Sequence, residues 1–212
     1  MEFKAVIFDL DGVLVFTDKY HFLAWKEIAK ELGIDFTEKD NDRLRGVSRA
    51  DSLEIILEKY EGKALTGEEK EVLLKKKNDL YVDQLKQMGP SDVTEDVRNT
   101  LKSLRDRGFK VAVGSSSKNT AYILERTELK DCFDAVADGT HITRSKPDPE
   151  VFLKAAEFLG EAPENCLVVE DADAGIDAAI AAGMHSAGIG AAAKSNRAET
   201  NINSVADILT IC

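Results

Sequence analysis

Five short apolar runs recur along this chain, most of them separated by helical patterns, and this alternation constrains the fold more than any other feature. They are 4–10 (KAVIFDL), Lys110–Gly114 (KVAVG), Ala135–Ala137 (AVA), Cys166–Glu170 (CLVVE) and 185–189 (HSAGI). Runs this short read as strands buried on both faces. The stretches 94–107, 119–127, 149–159 and 172–182 have helical spacing. Strands alternating with helices predict right-handed crossovers and an α/β, Rossmann-like parallel sheet.

Residues 20–87 break the alternation, with helical patterns only, at 20–32, 48–59 and 67–87. Ser48-Arg49-Ala50-Asp51 has the spacing of a helix N-cap. A four-helix cap inserted after the first strand is therefore expected, spanning 17–87, with the core formed by 1–16 and 88–212. Thr17-Asp18 and Met88-Gly89-Pro90-Ser91 serve as the two linkers. A chain of 212 residues with 43% hydrophobic residues and four prolines has room for one such core and one insertion, with little disorder.

The net charge of -11 disfavours nucleic acid and anionic membranes as partners, since both are bound through cationic side chains. It also repels a phosphorylated substrate. A phosphate site here must build a local positive field from a metal ion, a few Lys or Arg, and backbone N–H groups. Cys132, Cys166 and Cys212 are odd in number and widely spaced, suggesting neither a disulfide framework nor a zinc site. The first apolar run is stopped by Asp9 and Asp11, so it is no signal peptide, and no run reaches the roughly 18 apolar residues of a membrane span. A cytoplasmic monomer is expected.

Ligands of open parallel sheets bind beyond the carboxyl ends of the strands. Asp9 and Asp11, Ser115, Lys146 and the pair Glu170-Asp171 fall at or near such ends. Two carboxylates two apart in a strand are expected to face one side, and burying them requires compensation. A Mg²⁺ ion held by Asp9 and Asp171 would provide it. Ser115 can donate to a phosphoryl oxygen and Lys146 can neutralise its charge. Asp9 can act as a covalent nucleophile, with Asp11 as general acid and base. Each residue also has a structural alternative: Ser115 can cap the helix near Asn119, Lys146 can be a solvated loop residue, and Glu170-Asp171 can cap the helix at Ala172.

In this order, Asp9-Leu10-Asp11-Gly12-Val13, Ser115, Lys146-Pro147 and Glu170-Asp171 resemble the four-motif signature of the haloacid dehalogenase superfamily. The helical insertion is similar to its subclass with an α-helical cap. His21-Phe22-Leu23-Ala24-Trp25, Gly46-Val47-Ser48-Arg49-Ala50-Asp51-Ser52, Lys77-Asn78-Asp79 and Ser115-Ser116-Ser117-Lys118-Asn119 extend the resemblance to a branch that acts on hexose phosphates. The resemblance implies conversion of β-glucose 1-phosphate to glucose 6-phosphate through β-glucose 1,6-bisphosphate. It implies Mg²⁺ on Asp9, the Asp11 carbonyl and Asp171, with Glu170 joining directly or through water. Arg49, Ser117, Lys118 and Asn119 would hold the phosphate that is not reacting. His21 and Lys77 would contact the sugar, and Thr17 would lie at the hinge. Trp25, Gly46, Ser52 and Ser116 complete the expected substrate site, although Trp25 on its own reads as packing. A sugar-phosphate phosphatase on the same scaffold shares every core residue. The family usually continues into a helix beyond the last apolar segment, 206–211, and such a helix is expected past Cys212.

Overall fold

The computed structural model describes residues 3–45 and 47–212. The chain divides into two compact units, Met1–Phe16 with Met88–Cys212, and Thr17–Gln87. The larger unit is built on six parallel strands: β1 (Ala5–Phe8), β2 (Lys110–Gly114), β3 (Ala135–Ala137), β4 (Cys166–Glu170), β5 (His185–Gly188) and β6 (Thr200–Asn201). Their order is β3-β2-β1-β4-β5-β6. Chain order runs outward from β1 to β3 on one side and from β4 to β6 on the other. The order reverses between β1 and β4, which pair from Ala5 with Cys166 to Phe8 with Val169. That switch point is where a crevice opens beyond the strand ends of such sheets.

Among the described residues, five α-helices accompany this sheet: α5 (Glu95–Asp106), α6 (Thr120–Arg126), α7 (Glu150–Leu159), α8 (Asp173–Ala181) and α9 (Ala192–Ser195). One core packs Ala5 and Ile7 of β1, Ala112 of β2 and Val168 of β4 against Phe152 and Ala155 of α7 and Ala178 of α8. Gly114 is needed for space, since a Cβ there would lie 2.7 Å from the Phe152 ring. Large apolar groups buried on one face and small alanines beneath the helices keep the layers close.

The smaller unit holds α1 (Asp18–Glu31), α2 (Glu38–Asp42), α3 (Arg49–Leu57) and α4 (Gly67–Leu85). Trp25, Ile28, Phe36, Leu53 and Ile56 form its core. Its helix starts are written in the sequence: Thr37 and Thr66 make capping boxes, and the Ser48 hydroxyl accepts from the Asp51 N–H at 3.1 Å.

Several boundaries differ from the sequence reading. The first strand ends at Phe8 rather than Leu10, because Gly12 takes φ +85° and turns the chain, with its N–H donating to the Val15 carbonyl. The fifth strand stops one residue early. Strand β6, only two residues long, and the four-residue α9 are too short for periodicity to reveal. The last apolar segment forms a 3-10 turn, Val205–Thr210. The fourth helix of the smaller unit is α2, a mostly charged pentapeptide without an apolar stripe.

Candidate active site

Asp9 stands one residue past β1, in the middle of the sheet. Its N–H still donates to the Val169 carbonyl at 2.9 Å, so the β1–β4 ladder carries the carboxyl to the switch point. Glu170 ends β4 and Asp171 follows it. Lys146 comes from the loop before α7, and its ammonium bonds to Asp9 Oδ1 and to Glu170 Oε1, the latter at 2.6 Å. All four side chains are buried. The Phe152 ring lies 4.7 Å beneath the ammonium, adding a cation–π contact.

The buried charges shape one another. Burial pushes the Asp9 carboxyl well above the ordinary carboxylate range. Lys146 opposes this, while Glu170, Asp11 and Asp171 add to it. Burial alone would favour loss of the Lys146 proton, but the carboxylates of Asp9 and Glu170 outweigh it and raise the ammonium's pKa above the usual lysine value. Lys146 is thus a fixed cation and not a solvated loop residue. Glu170 Oε2 accepts from the Ala172 N–H at 2.9 Å at the start of α8, as expected of a capping residue, and its Oε1 accepts from Lys146, a pairing not expected from the sequence.

Oxygens of Asp9, Glu170 and Asp171 lie within 4.8 Å of one another. Three converging buried carboxylates fit a hard divalent cation, which such oxygen donors select. Both Glu170 oxygens already accept hydrogen bonds, from Lys146 and from the Ala172 N–H. Two glycines make room for these acids. A Cβ on Gly12 would lie 2.1 Å from Asp171 Oδ2, and one on Gly175 would lie 1.9 Å from Glu170 Oε1. Gly175 was absent from the sequence reading, because a lone glycine in a helix carries no sign of what it packs against.

Asp11, like Asp9, lies beyond the end of β1 and not within the strand. It sits half-exposed in the turn made by Gly12, bridged to Val15. Ser115 follows β2 and is buried, with its N–H donating to the Ala137 carbonyl. Its hydroxyl accepts from the Ser117 N–H at 3.2 Å, and the Ser117 hydroxyl accepts from the Asn119 N–H at 3.2 Å. Ser115 therefore folds its own loop and does not cap α6. Ser116 and Asn119 are half-buried in this loop, and Lys118 is exposed.

The remaining candidates belong to the smaller unit. His21 of α1 and Lys77 of α4 meet, with 2.8 Å between His21 Nδ1 and Lys77 Nζ. Lys77 is 2% exposed and lies over the rings of Trp25 and Tyr81, at 5.0 and 4.6 Å. It is a buried cation, whereas its neighbours Lys75 and Lys76 pair at the surface with Asp79 and Glu31. Burial, then Lys77 and Arg49, hold the His21 pKa well below the ordinary imidazole value. His21 is therefore neutral and accepts from Lys77 through Nδ1. Arg49 opens α3, Ser52 is buried one turn on, and Thr17 is buried at the start of α1. Gly46 lies outside the described residues.

A buried acid at the end of the first strand, a lysine locked against it and an acidic pair at the end of β4 define an α/β enzyme of the haloacid dehalogenase type. The chain belongs to that family: the haloacid dehalogenase-like hydrolase model matches residues 3–183. It is 42% identical to the β-phosphoglucomutase of Bacillus subtilis over 193 residues, covering 88% of this chain and 83% of that one. It is 32% identical to a phosphorylated carbohydrates phosphatase of Thermotoga maritima, covering 85% and 82% of the two chains. The crystal structure of a β-phosphoglucomutase from Clostridium difficile superposes with a TM-score of 0.91 at 36% identity, covering 97% of this chain and 93% of that one. No described helix is long and apolar enough to cross a membrane.

Proposed function

We propose that this chain is a Mg²⁺-dependent β-phosphoglucomutase that moves a phosphoryl group through a phosphoaspartate on Asp9. It would convert β-glucose 1-phosphate to glucose 6-phosphate by way of β-glucose 1,6-bisphosphate. The observation that carries the chemistry is the buried cluster in which Lys146 spans Asp9 and Glu170 beside Asp171. The permanent cation of Lys146 opposes the effect of burial and favours the ionised form of Asp9, the form that can attack phosphorus.

In the first transfer, an Asp9 oxygen bonds to phosphorus, the bond from phosphorus to the departing sugar oxygen breaks, and Asp11 gives that oxygen a proton. In the second, Asp11 takes the proton of a sugar hydroxyl as its oxygen attacks the phosphoryl group on Asp9. Asp11 suits the alternation because it sits half-exposed on a turn, while Asp9 is buried. Lys146 and the Ser115 hydroxyl face the charge that spreads over the phosphoryl oxygens. A Mg²⁺ ion held by Asp9, the Asp11 carbonyl and Asp171, with Glu170 joining directly or through water, would supply further neutralisation of that charge.

The acceptor distinguishes a mutase from a phosphatase. Higher identity to a β-phosphoglucomutase than to a sugar-phosphate phosphatase supports a sugar acceptor. So does the His21–Lys77 pair, a buried cation and neutral imidazole suited to hydroxyls and phosphate. Arg49, Ser117, Lys118 and Asn119 are assigned to the non-reacting phosphate in the same reading. The deciding assay supplies β-glucose 1-phosphate, Mg²⁺ and a trace of the bisphosphate, and measures glucose 6-phosphate against free phosphate. Glucose 6-phosphate should dominate. Rapid release of free phosphate with little glucose 6-phosphate would move the chain to the phosphatases.

A further inference from the structure

Lys146 is carried by a segment, 138–149, that forms neither strand nor helix. With no ladder to fix it, its N–H groups must find other partners. A single side chain supplies two of them. Glu150, the first residue of α7, turns back along the chain, and its Oε2 accepts from the Thr143 N–H at 3.0 Å and from the Arg144 N–H at 2.8 Å. The Thr143 hydroxyl donates to the same oxygen at 3.0 Å. These bonds, that from the Arg144 N–H foremost, hold the Glu150 carboxyl below the ordinary carboxylate range, so the acceptor that closes the loop is charged.

Inside this closure the chain makes a four-residue turn. The Asp148 N–H donates to the Ser145 carbonyl at 3.0 Å, with Lys146 and Pro147 between them. Asp148 ties the turn to both flanks: its Oδ1 accepts from the Glu150 N–H at 3.0 Å, and its Oδ2 pairs with the Arg144 guanidinium at 3.0 Å. Thr143, Arg144, Asp148 and Glu150 thus form a closed ring of contacts. Its members are exposed or half-buried, whereas Lys146, on the turn they enclose, is buried and reaches Asp9 and Glu170. The Arg144–Asp148 pair is solvated, and such pairs contribute little. Backbone N–H groups bonded to a carboxylate are stronger contacts, which makes Glu150 the main closure of the ring.

We propose that Glu150 is a positioning residue for the phosphoryl transfer: by binding the Thr143 and Arg144 N–H groups, it sets the turn from which the Lys146 ammonium reaches Asp9. The inference rests on the phosphoryl-transfer reading of Asp9 and Lys146 but not on the identity of the acceptor. Glu150 touches no reacting group, so its whole effect on rate passes through Lys146. That separates it from a surface residue that only stabilises α7.

The test uses the full chain with Mg²⁺ and two substrates, β-glucose 1-phosphate and a simple aryl phosphate. A shift of the loop by about 1 Å is enough for Glu150→Ala to lower kcat about ten- to a hundredfold on both, with KM changed by less than about threefold. Glu150→Gln should recover most of this loss, because its amide oxygen can still accept from both N–H groups. The double-mutant cycle is decisive: added to Lys146→Ala, Glu150→Ala should cost nothing further in kcat. Thr143→Val removes only the hydroxyl's bond to Glu150 and gives a milder version of the same cycle, about two- to fivefold, should Glu150→Ala not fold. Glu157→Ala, which removes a surface carboxylate of α7 paired with Lys154, is the control and should leave kcat unchanged. Placement of Lys146 is also read without turnover, by the rate at which an amine reagent labels it, located by peptide mass. Labelling should be slow in the wild type and in Glu150→Gln, and about tenfold faster or more in Glu150→Ala. Equal losses from Glu150→Ala with and without Lys146, or intact kcat and labelling in that variant, would overturn the proposal. If the wild type hydrolyses both substrates without forming glucose 6-phosphate, the mutase reading fails while the cycle on the aryl phosphate still decides this one. If neither substrate turns over, the labelling of Lys146 decides it.

Discussion

At the scale of single residues, the charge on Lys146 is fixed by its two carboxylate partners, and the charge on Asp9 is the one left to be settled. Asp9→Asn keeps the shape and removes the nucleophilic oxygen, so phosphoenzyme formation should vanish. Acid-quenched protein carrying labelled phosphate in that variant would refute the assignment. Gly175 gives a complementary prediction. A methyl group there would overlap the Glu170 carboxylate, so Gly175→Ala should shift Glu170 away from Lys146 and cost about 1–3 kcal/mol as overpacking, measured by urea unfolding. An unchanged midpoint would show that Glu170 can move freely. Asp9, Ser115, Lys146 and the Glu170-Asp171 pair were legible in the sequence because each falls at or near a strand end of an alternating pattern. Gly175 was not, since what makes it a glycine is the Glu170 carboxylate folded back against it, which no local pattern announces. Asp9 and Asp11 lie beyond the strand expected to carry them for a local reason: β1 ends at Phe8 and Gly12, at φ +85°, turns the chain.

At the scale of elements, the pairing of α1 with α4 through His21 and Lys77 makes a prediction about pH. His21 is held neutral in the folded unit, with its pKa depressed by burial, Lys77 and Arg49, whereas an unfolded histidine takes up a proton near pH 6.5. Below that pH the unfolded chain binds the extra proton, so the stability contributed by a neutral His21 is present above pH 6.5 and is lost as pH falls toward the folded value. The slope is at most about 1.4 kcal/mol per pH unit. Trp25 is the single tryptophan of the chain and sits over Lys77, so its fluorescence in urea reports on this unit. Between pH 6.5 and 5.5 the wild type should lose about 1 kcal/mol more than His21→Asn, whose amide oxygen can still accept from Lys77. Parallel pH profiles would mean that His21 titrates normally. Most of these helices were readable from caps and apolar spacing. The exception, α2, is stabilised by a capping box and by tertiary packing around Asn41, which no stripe announces.

At the scale of the whole molecule, a chain of charge -11 concentrates three buried carboxylates at one switch point and sets a single lysine against them. Hydrophobic patterning made the sheet legible, because short apolar runs separated by helices allow few other architectures. The sixth strand, with two residues, was below what patterning can resolve. The same concentration of charge determines how the protein responds to removal of its metal. Without a cation, repulsion among Asp9, Glu170 and Asp171 opposes folding, and Lys146 relieves only part of it. A cation that binds the folded state alone stabilises it by about 2.7 kcal/mol at a hundredfold excess over its dissociation constant. For a chain of this size that is a rise of about 5–10 °C in the calorimetric transition between chelator and millimolar Mg²⁺. Asp171→Asn separates the two contributions, since it removes a ligand and one repelling charge together. In chelator the variant should melt no lower than the wild type, and it should gain little from Mg²⁺. A wild type whose transition ignores Mg²⁺ would contradict the cation site, and a variant that keeps the full shift would remove Asp171 from it.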